Sequence, residues 1–267
     1  MASILDTIIA KKRQEISEDK EQISQGDLAK RISGTCRGFA AALSRAAAAH
    51  SAIIAEIKRG SPSLGCIRPD MDAVEQAKAY ESAGAACLSV LTDAEFFFAR
   101  DDDFAEIRQQ SSIPMLRKDF MIDPYQIYQS RAMGADCILL IMACLDNDQA
   151  AALADTAHEL EMDVLAETHN EDEIQRTLDY VNFDLIGVNN RNLNDFTTSV
   201  ELTVQLSEMI DDKTKLVAES GLHSATVLQE LAEKGIRRFL IGEAFVKSDN
   251  PQTLVHEFVN AVKVENA

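Results

Sequence analysis

Six short groups of residues in this chain could do chemistry. Glu56 and Lys58 stand two apart in Ala55-Glu-Ile-Lys-Arg-Gly-Ser-Pro-Ser-Leu-Gly65, and Arg117, Lys118 and Asp119 are consecutive. Glu167 stands singly, Asn189-Asn190-Arg191 follows, and Glu219-Ser220-Gly221 and Gly242-Glu243 complete the set. Lysine near carboxylate is an acid–base pair, because each partner keeps the other ionised and oriented for proton transfer. Lys58, Lys118 and Arg191 add the cations that an anionic substrate requires. Gly221 and Gly242 offer backbone N–H groups that a phosphate can approach closely. The histidines His50, His158, His169, His223 and His256 show neither His-x-His nor His-Glu-x-x-His spacing, so no metal site is expected. His169 reads as an ordinary loop histidine. With neither a Gly-x-Gly-x-x-Gly nor a P-loop motif, no cofactor is expected, and lysine and carboxylate would carry the reaction.

Each group closes a short apolar run, and these runs suggest how the groups are positioned. The runs are Ala52–Ile57, Ala86–Leu91, Ile113–Leu116, Cys137–Met142, Asp163–Ala166, Leu185–Val188, Leu216–Ala218 and Arg238–Ile241. Nearly continuous and often β-branched, they read as parallel strands buried on both faces. Helical patterns lie between them. Asp72–Ala83 ends at Gly84, Pro124–Ala132 follows a capping Asp123 and ends at Gly134, and Asn147–Leu160 and Ala225–Lys234 are similar. The strand–helix–glycine–strand rhythm, eight times over, predicts an α/β (βα)8 TIM barrel with its chemistry at the C-terminal ends of the strands. A doubly wound open sheet is the alternative. About 50 residues precede the first run, with helices expected at Ser3–Ser17 and near Phe39–Ala49. No linker sets them apart, so the chain reads as one domain over 1–267, with 1–50 a helical extension expected to close over the barrel mouth.

Composition narrows the partners. With 26 Lys+Arg against 44 Asp+Glu the net charge is −18, which disfavours nucleic acid and anionic membrane surfaces. The five cysteines form no Cys-x-x-Cys pair, which suits a reducing compartment. Neither a signal peptide nor an apolar run long enough to span a bilayer is apparent. A cytoplasmic protein, monomeric or weakly dimeric, acting on a small phosphorylated molecule is expected.

Six segments together resemble the indole-3-glycerol phosphate synthase family. They are Ala55-Glu-Ile-Lys-Arg-Gly-Ser-Pro-Ser63, Leu88-Ser-Val-Leu-Thr-Asp93, Leu116-Arg-Lys-Asp-Phe120, Ile186-Gly-Val-Asn-Asn-Arg-Asn-Leu193, Ala218-Glu-Ser-Gly221 and Leu240-Ile-Gly-Glu243. The likeness runs from Ile4 to Leu254. It implies a lyase of tryptophan biosynthesis that closes an indole ring with loss of CO2 and water. It further implies Lys118 as general acid, Glu167 in the later proton removal and dehydration, and Lys58 and Glu56 in the catalytic constellation, with Lys58 holding the substrate carboxylate. Asn189 and Glu219 would orient substrate and lysine. Ser61, Phe120, Arg191, Leu193 and Ser220 would bind substrate, and Gly221, Gly242 and Glu243 its phosphate, the last through its N–H. Two rim loops depart from the family pattern, at Leu64, where lysine is frequent, and at Phe97-Phe98-Ala99-Arg100, where Phe-x-Gly-Ser is usual. A Schiff-base aldolase and a non-catalytic sugar-phosphate binder are the rival readings.

Overall fold

A computed structural model describes residues 3–180, 183–193 and 195–263. Eight parallel strands close on themselves: β1 (Ala52–Ile57), β2 (Cys87–Leu91), β3 (Met115–Lys118), β4 (Cys137–Ile141), β5 (Asp163–Thr168), β6 (Leu185–Asn189), β7 (Leu216–Glu219) and β8 (Arg238–Ile241), with β1 bonded to both β2 and β8. The closed (βα)8 barrel was expected; the open sheet is set aside.

Alternation along each strand divides the core in two. Ile54, Cys87, Leu116, Leu139, Leu165, Leu185, Val217 and Leu240 point inward and fill the barrel. Their neighbours, such as Ile53, Ala55, Leu88, Val164, Val188 and Phe239, point outward against the ring of helices. The inward parity of β1, β3, β5, β6 and β7 continues upward to Glu56, Lys118, Glu167, Asn189 and Glu219. One alternation thus builds the apolar floor and the polar mouth.

Several strands run further than the apolar pattern suggested. Glu167 and Thr168 remain paired with Gly187 and Val188, and Asn189 with Glu219. Their side chains are polar but their backbones still close the ladder, so the polar residues stand on the last rungs rather than in loops. β3 starts at Met115 because Pro114 has no N–H to give a neighbour.

The amino-terminal segment divides between the two ends of the barrel, which corrects the expectation that all of it covers the mouth. Helix α1 (Ile4–Gln22), with Ser3 and Asp6 forming a capping box, lies at the mouth and is longer than the Ser3–Ser17 pattern implied. Helix α2 (Gln25–Arg31), which the sequence reading omitted, packs Leu28 with Ile16 of α1 and with Tyr125. Helix α3 (Phe39–Ala47) sits at the opposite end, where the fully buried Phe39 and Leu43 join the inward-facing cluster and plug the barrel floor. Burying each contributes about 1.5–3 kcal/mol.

Outside the barrel, α4 (Ala73–Ser82), α5 (Ala94–Phe97), α6 (Asp103–Gln110), α7 (Pro124–Ala132), α8 (Asn147–Glu159) and α9 (Glu171–Tyr180) follow the first five strands. After the other three come α10 (Glu201–Ser207), α11 (Ala225–Glu233), α12 (Glu243–Lys247) and α13 (Pro251–Val259). None of the helices is long and apolar enough to cross a membrane among the described residues.

Candidate active site

The carboxyl ends of the strands open into a cleft of about 680 Å³. Its wall includes Glu56, Lys58, Ser61, Lys118, Phe120, Glu167, Asn189, Arg191, Leu193, Glu219, Ser220, Gly221, Gly242 and Glu243, so every residue to which the resemblance gives a role reaches it. Arg117 and Asn190, singled out beside them, do not line it and bond instead to Gln129 and Ser130 and to Ser220 and Thr203, respectively. Ile4, Leu5 and Ile8 of α1 form part of its roof. A depression of similar volume, about 690 Å³, lies on the far side of α1 against Cys144–Asn147 and Arg176. It contains none of the lysine–carboxylate pairs, so the first cleft is the candidate site.

At the centre of the cleft the Lys118 ammonium stands 3.0 Å from Glu167 Oε2 and 3.3 Å from Glu219 Oε2. These partners come from three strands, β3, β5 and β7, whose inward residues share one level of the barrel. Room for Glu219 comes from Gly187, where any Cβ would fall 2.2 Å from Glu219 Oε1. Gly242 does the same for Glu56, whose Oε1 would lie 2.2 Å from a Cβ there. Glu56 in turn holds Lys58 at 2.5 Å. Asn189 accepts a hydrogen bond from the N–H of Arg191, which shapes the turn leaving β6.

The electrostatics follow from burial opposed by pairing. Burial works against the charge of Lys118, but Glu167, Glu219 and Glu56 outweigh it and hold the ammonium above the ordinary lysine value. Burial would raise the Glu167 carboxyl, yet Lys118, His169 and Asn189 hold it well below the usual range. Glu219 goes the other way. Burial, with Glu167 beside it, pushes it up to about 8 against the pull of Lys118. Two adjacent carboxylates around one lysine therefore differ, one ionised and one protonated at neutral pH, which is the division of states an acid–base cluster needs.

At the far side of the cleft Arg191 donates to Ser63 Oγ at 2.9 Å and meets Glu243 Oε2 at 2.5 Å, while Lys247 binds the other Glu243 oxygen at 2.6 Å. Ser220 and Gly221 both adopt left-handed backbone, φ 62° and 73°, turning the chain sharply after β7. The departures noted in the rim loops are accommodated there. Leu64 is exposed at 41%, and Phe98 takes φ 61° with its ring packed over Gly60.

Three contributors were not picked out from the sequence. Lys12 of α1 is buried and binds Asp93 after β2 and Asp119 after β3, each at 3.0 Å, with Glu15 at 2.7 Å. Burial opposes its charge, but Asp119 and Asp93 prevail and raise it. It fastens the roof helix beside Lys118, and nothing local in the sequence marks it. Gly187 lay within a quoted segment without being assigned a task. His169 is not a simple loop residue, which corrects the sequence reading: its Nε2 lies 3.3 Å from Glu167 Oε1 and its Nδ1 3.2 Å from Glu173. Two-residue spacing from Glu167 was the available signal.

A closed parallel barrel carrying a buried lysine between carboxylates at its mouth, ringed by arginine and lysine, defines an α/β-barrel enzyme for a small anionic substrate. The sequence profile of indole-3-glycerol phosphate synthase matches residues 5–258. The chain is 46% identical over 250 residues to indole-3-glycerol phosphate synthase of Rhodospirillum rubrum, covering 92% of this chain and 95% of that one. It is 41% identical over 264 residues to that of Acinetobacter baylyi, covering 98% and 97%. The chain belongs to the indole-3-glycerol phosphate synthase family.

Proposed function

We infer that this chain converts 1-(2-carboxyphenylamino)-1-deoxyribulose 5-phosphate into indole-3-glycerol phosphate, acting as a carboxy-lyase of tryptophan biosynthesis. Family membership supplies the reaction. The observation that supports the assignment of roles is Lys118 held between Glu167 and Glu219, at 3.0 and 3.3 Å, on the inner face of the barrel mouth.

The ring carbon bearing the carboxylate attacks the keto carbon of the sugar chain, and Lys118 protonates the keto oxygen. The carboxylate leaves as CO2, its bonding pair restoring the aromatic ring. Glu219, protonated at neutral pH and 3.3 Å from the lysine, returns a proton to it. The new hydroxyl then departs as water with a second proton, while Glu167 removes one from the carbon next to nitrogen. Two protons enter and one leaves, so solvent supplies one per turnover. Lys58, set by Glu56, clamps the substrate carboxylate until it is lost, and Asn189 orients the sugar chain. Phe120 and Leu193 flank the aromatic ring. Ser61, Arg191 and Ser220, with the N–H groups of Gly221, Gly242 and Glu243, receive the phosphate. The Lys118 amine is held as an ammonium, which speaks against its use as a Schiff-base nucleophile.

We also read the chain as one barrel unit with its extension, working in the cytoplasm as a monomer or weak dimer; all five cysteines are unpaired, which suits a reducing compartment. The decisive experiment supplies the carboxyphenylamino-deoxyribulose phosphate and follows indole fluorescence. No fluorescence from folded protein would refute the assignment, and a borohydride-trapped lysine adduct would replace it with the aldolase.

A further inference from the structure

The roles above leave His169 without one. It follows Glu167 by two residues, so both side chains leave the chain on its inward side. Its side chain is only 9% exposed. Nε2 lies 3.3 Å from Glu167 Oε1, the oxygen that Lys118 does not touch, since Lys118 is 3.0 Å from Oε2. On the other edge of the ring, Nδ1 lies 3.2 Å from Glu173 Oε2. Glu173, on α9, also accepts the N–H of His169 at 2.8 Å and the Asn170 side-chain amide at 2.7 Å, and is thereby fixed. Cys144, after β4, also lies near both carboxylates; burial and Glu167 push its thiol up to about 12, so it carries no charge here. Burial disfavours the imidazolium, but Glu167 and Glu173 outweigh it and raise the ring to about 10.

We propose that His169 is a positioning residue for Glu167: as an imidazolium anchored by Glu173, it fixes the Glu167 carboxylate from the side opposite Lys118. The terminal torsion of a glutamate is broad, so a carboxylate held by one oxygen can swivel. A second cation on the second oxygen removes that freedom and keeps the group ionised as a base when Lys118 gives up its proton. Glu167 would otherwise face a neutral amine at that moment, with no compensating charge. The inference rests on the acid–base task proposed for Glu167.

The test compares wild type, His169→Gln and Glu173→Gln for kcat, KM and the pH profile of kcat with the carboxyphenylamino substrate. Nitrogen-15 NMR of the histidines in the full-length protein accompanies it. At pH 8 the wild type should show one histidine with both ring nitrogens protonated, absent in His169→Gln. His169→Gln should lower kcat by up to about 10²-fold, the scale of a 1 Å misplacement, with KM little changed. Its acid limb should move to higher pH, because Glu167 has lost a cation. Glu173→Gln should bring a new fall in kcat as pH rises through neutrality, where the unanchored ring deprotonates. A purely structural histidine would lower Tm and leave both profiles in place. Wild-type kcat and profile in His169→Gln, or a neutral His169 at pH 8 in wild type, would overturn the proposal. If His169→Gln does not fold, the Glu173→Gln profile and the wild-type spectrum decide. An inactive wild type would refute the proposed function and this role with it, whereas an active wild type beside an unaffected His169→Gln would refute this role alone.

Discussion

Two lysines compete for the first proton transfer, and their surroundings separate them. Lys118 touches Glu167 and Glu219 on the deep inner wall, whereas Lys58 touches Glu56 at 2.5 Å and leads into the Ser61–Ser63 loop. Lys118→Ala is expected to lower kcat by about 10²–10⁴, the range for loss of a positioned general acid, with a modest change in KM. Lys58→Ala should raise KM as well, because it removes the proposed carboxylate clamp. Near-normal kcat in Lys118→Ala with no turnover in Lys58→Ala would exchange the roles. Glu219 allows a separate test. Its carboxyl is raised from 4.5 to about 8, so the folded state holds this proton more tightly than the unfolded chain. The stability it contributes is complete below about 4.5 and is lost as pH rises toward 8. Glu219→Gln lacks that loss, and its Tm should gain on wild type by several degrees between pH 5 and pH 8. Parallel Tm curves would show that Glu219 does not carry the proton.

At the scale of elements, α1 is a roof pinned at one buried point. Lys12 joins it to the loops after β2 and β3, and Asp119, its partner, adjoins Lys118. Burial would raise Asp119, but Arg117, Lys12 and Thr92 bring it down to about 2, so the pair stays ionised across the working range. Replacing one partner of such a pair leaves the other charges buried and uncompensated, typically a loss of about 3–5 kcal/mol. Lys12→Met should therefore loosen α1, raise KM several-fold and quicken proteolysis at Arg13 and Lys20 while the barrel stays folded. Unchanged KM with α1 readily cleaved would show that the roof does not retain substrate. Removing residues 1–24 should give the same kinetic result. Removing the first 50 should not yield a folded barrel, because Phe39 and Leu43 would leave the floor open. The apolar pattern revealed that an extension existed. It could not reveal that α1 and α3 go to opposite ends, since both are amphipathic and the choice of end depends on what each face meets.

Over the whole molecule, a net charge of −18 surrounds a mouth lined by Lys58, Lys118, Arg191 and Lys247. A trianionic substrate is repelled at long range and attracted at short range. The Debye length is about 30 Å at 0.01 M salt and about 8 Å at 0.15 M. At low salt the substrate senses the whole acidic surface; near 0.15 M it senses the rim alone. Raising salt from about 0.01 to 0.15 M should therefore increase kcat/KM a few-fold, reversing the sign usual for attracted partners. A fall over the same range, measured at constant pH with two salts, would mean that the rim cations dominate at every distance.

The sequence by itself determined the barrel and the residues of its mouth. Eight buried runs with helical patterns between them admit few closed arrangements, and alternation puts Glu56, Lys118, Glu167, Asn189 and Glu219 on the same inner face as the apolar residues below them. Several strand ends were misplaced by one or two residues, because polar side chains at Lys118, Glu167, Thr168, Asn189 and Glu219 conceal a ladder that the backbone continues. Only the tertiary structure decided the partnerships. Lys12 with Asp119 spans the roof, Gly187 clears space for a carboxylate on the next strand, and His169 is held between Glu167 and a helix residue. Each depends on distances between segments far apart in the chain. Local periodicity carries the direction in which a side chain points, but not what it meets there.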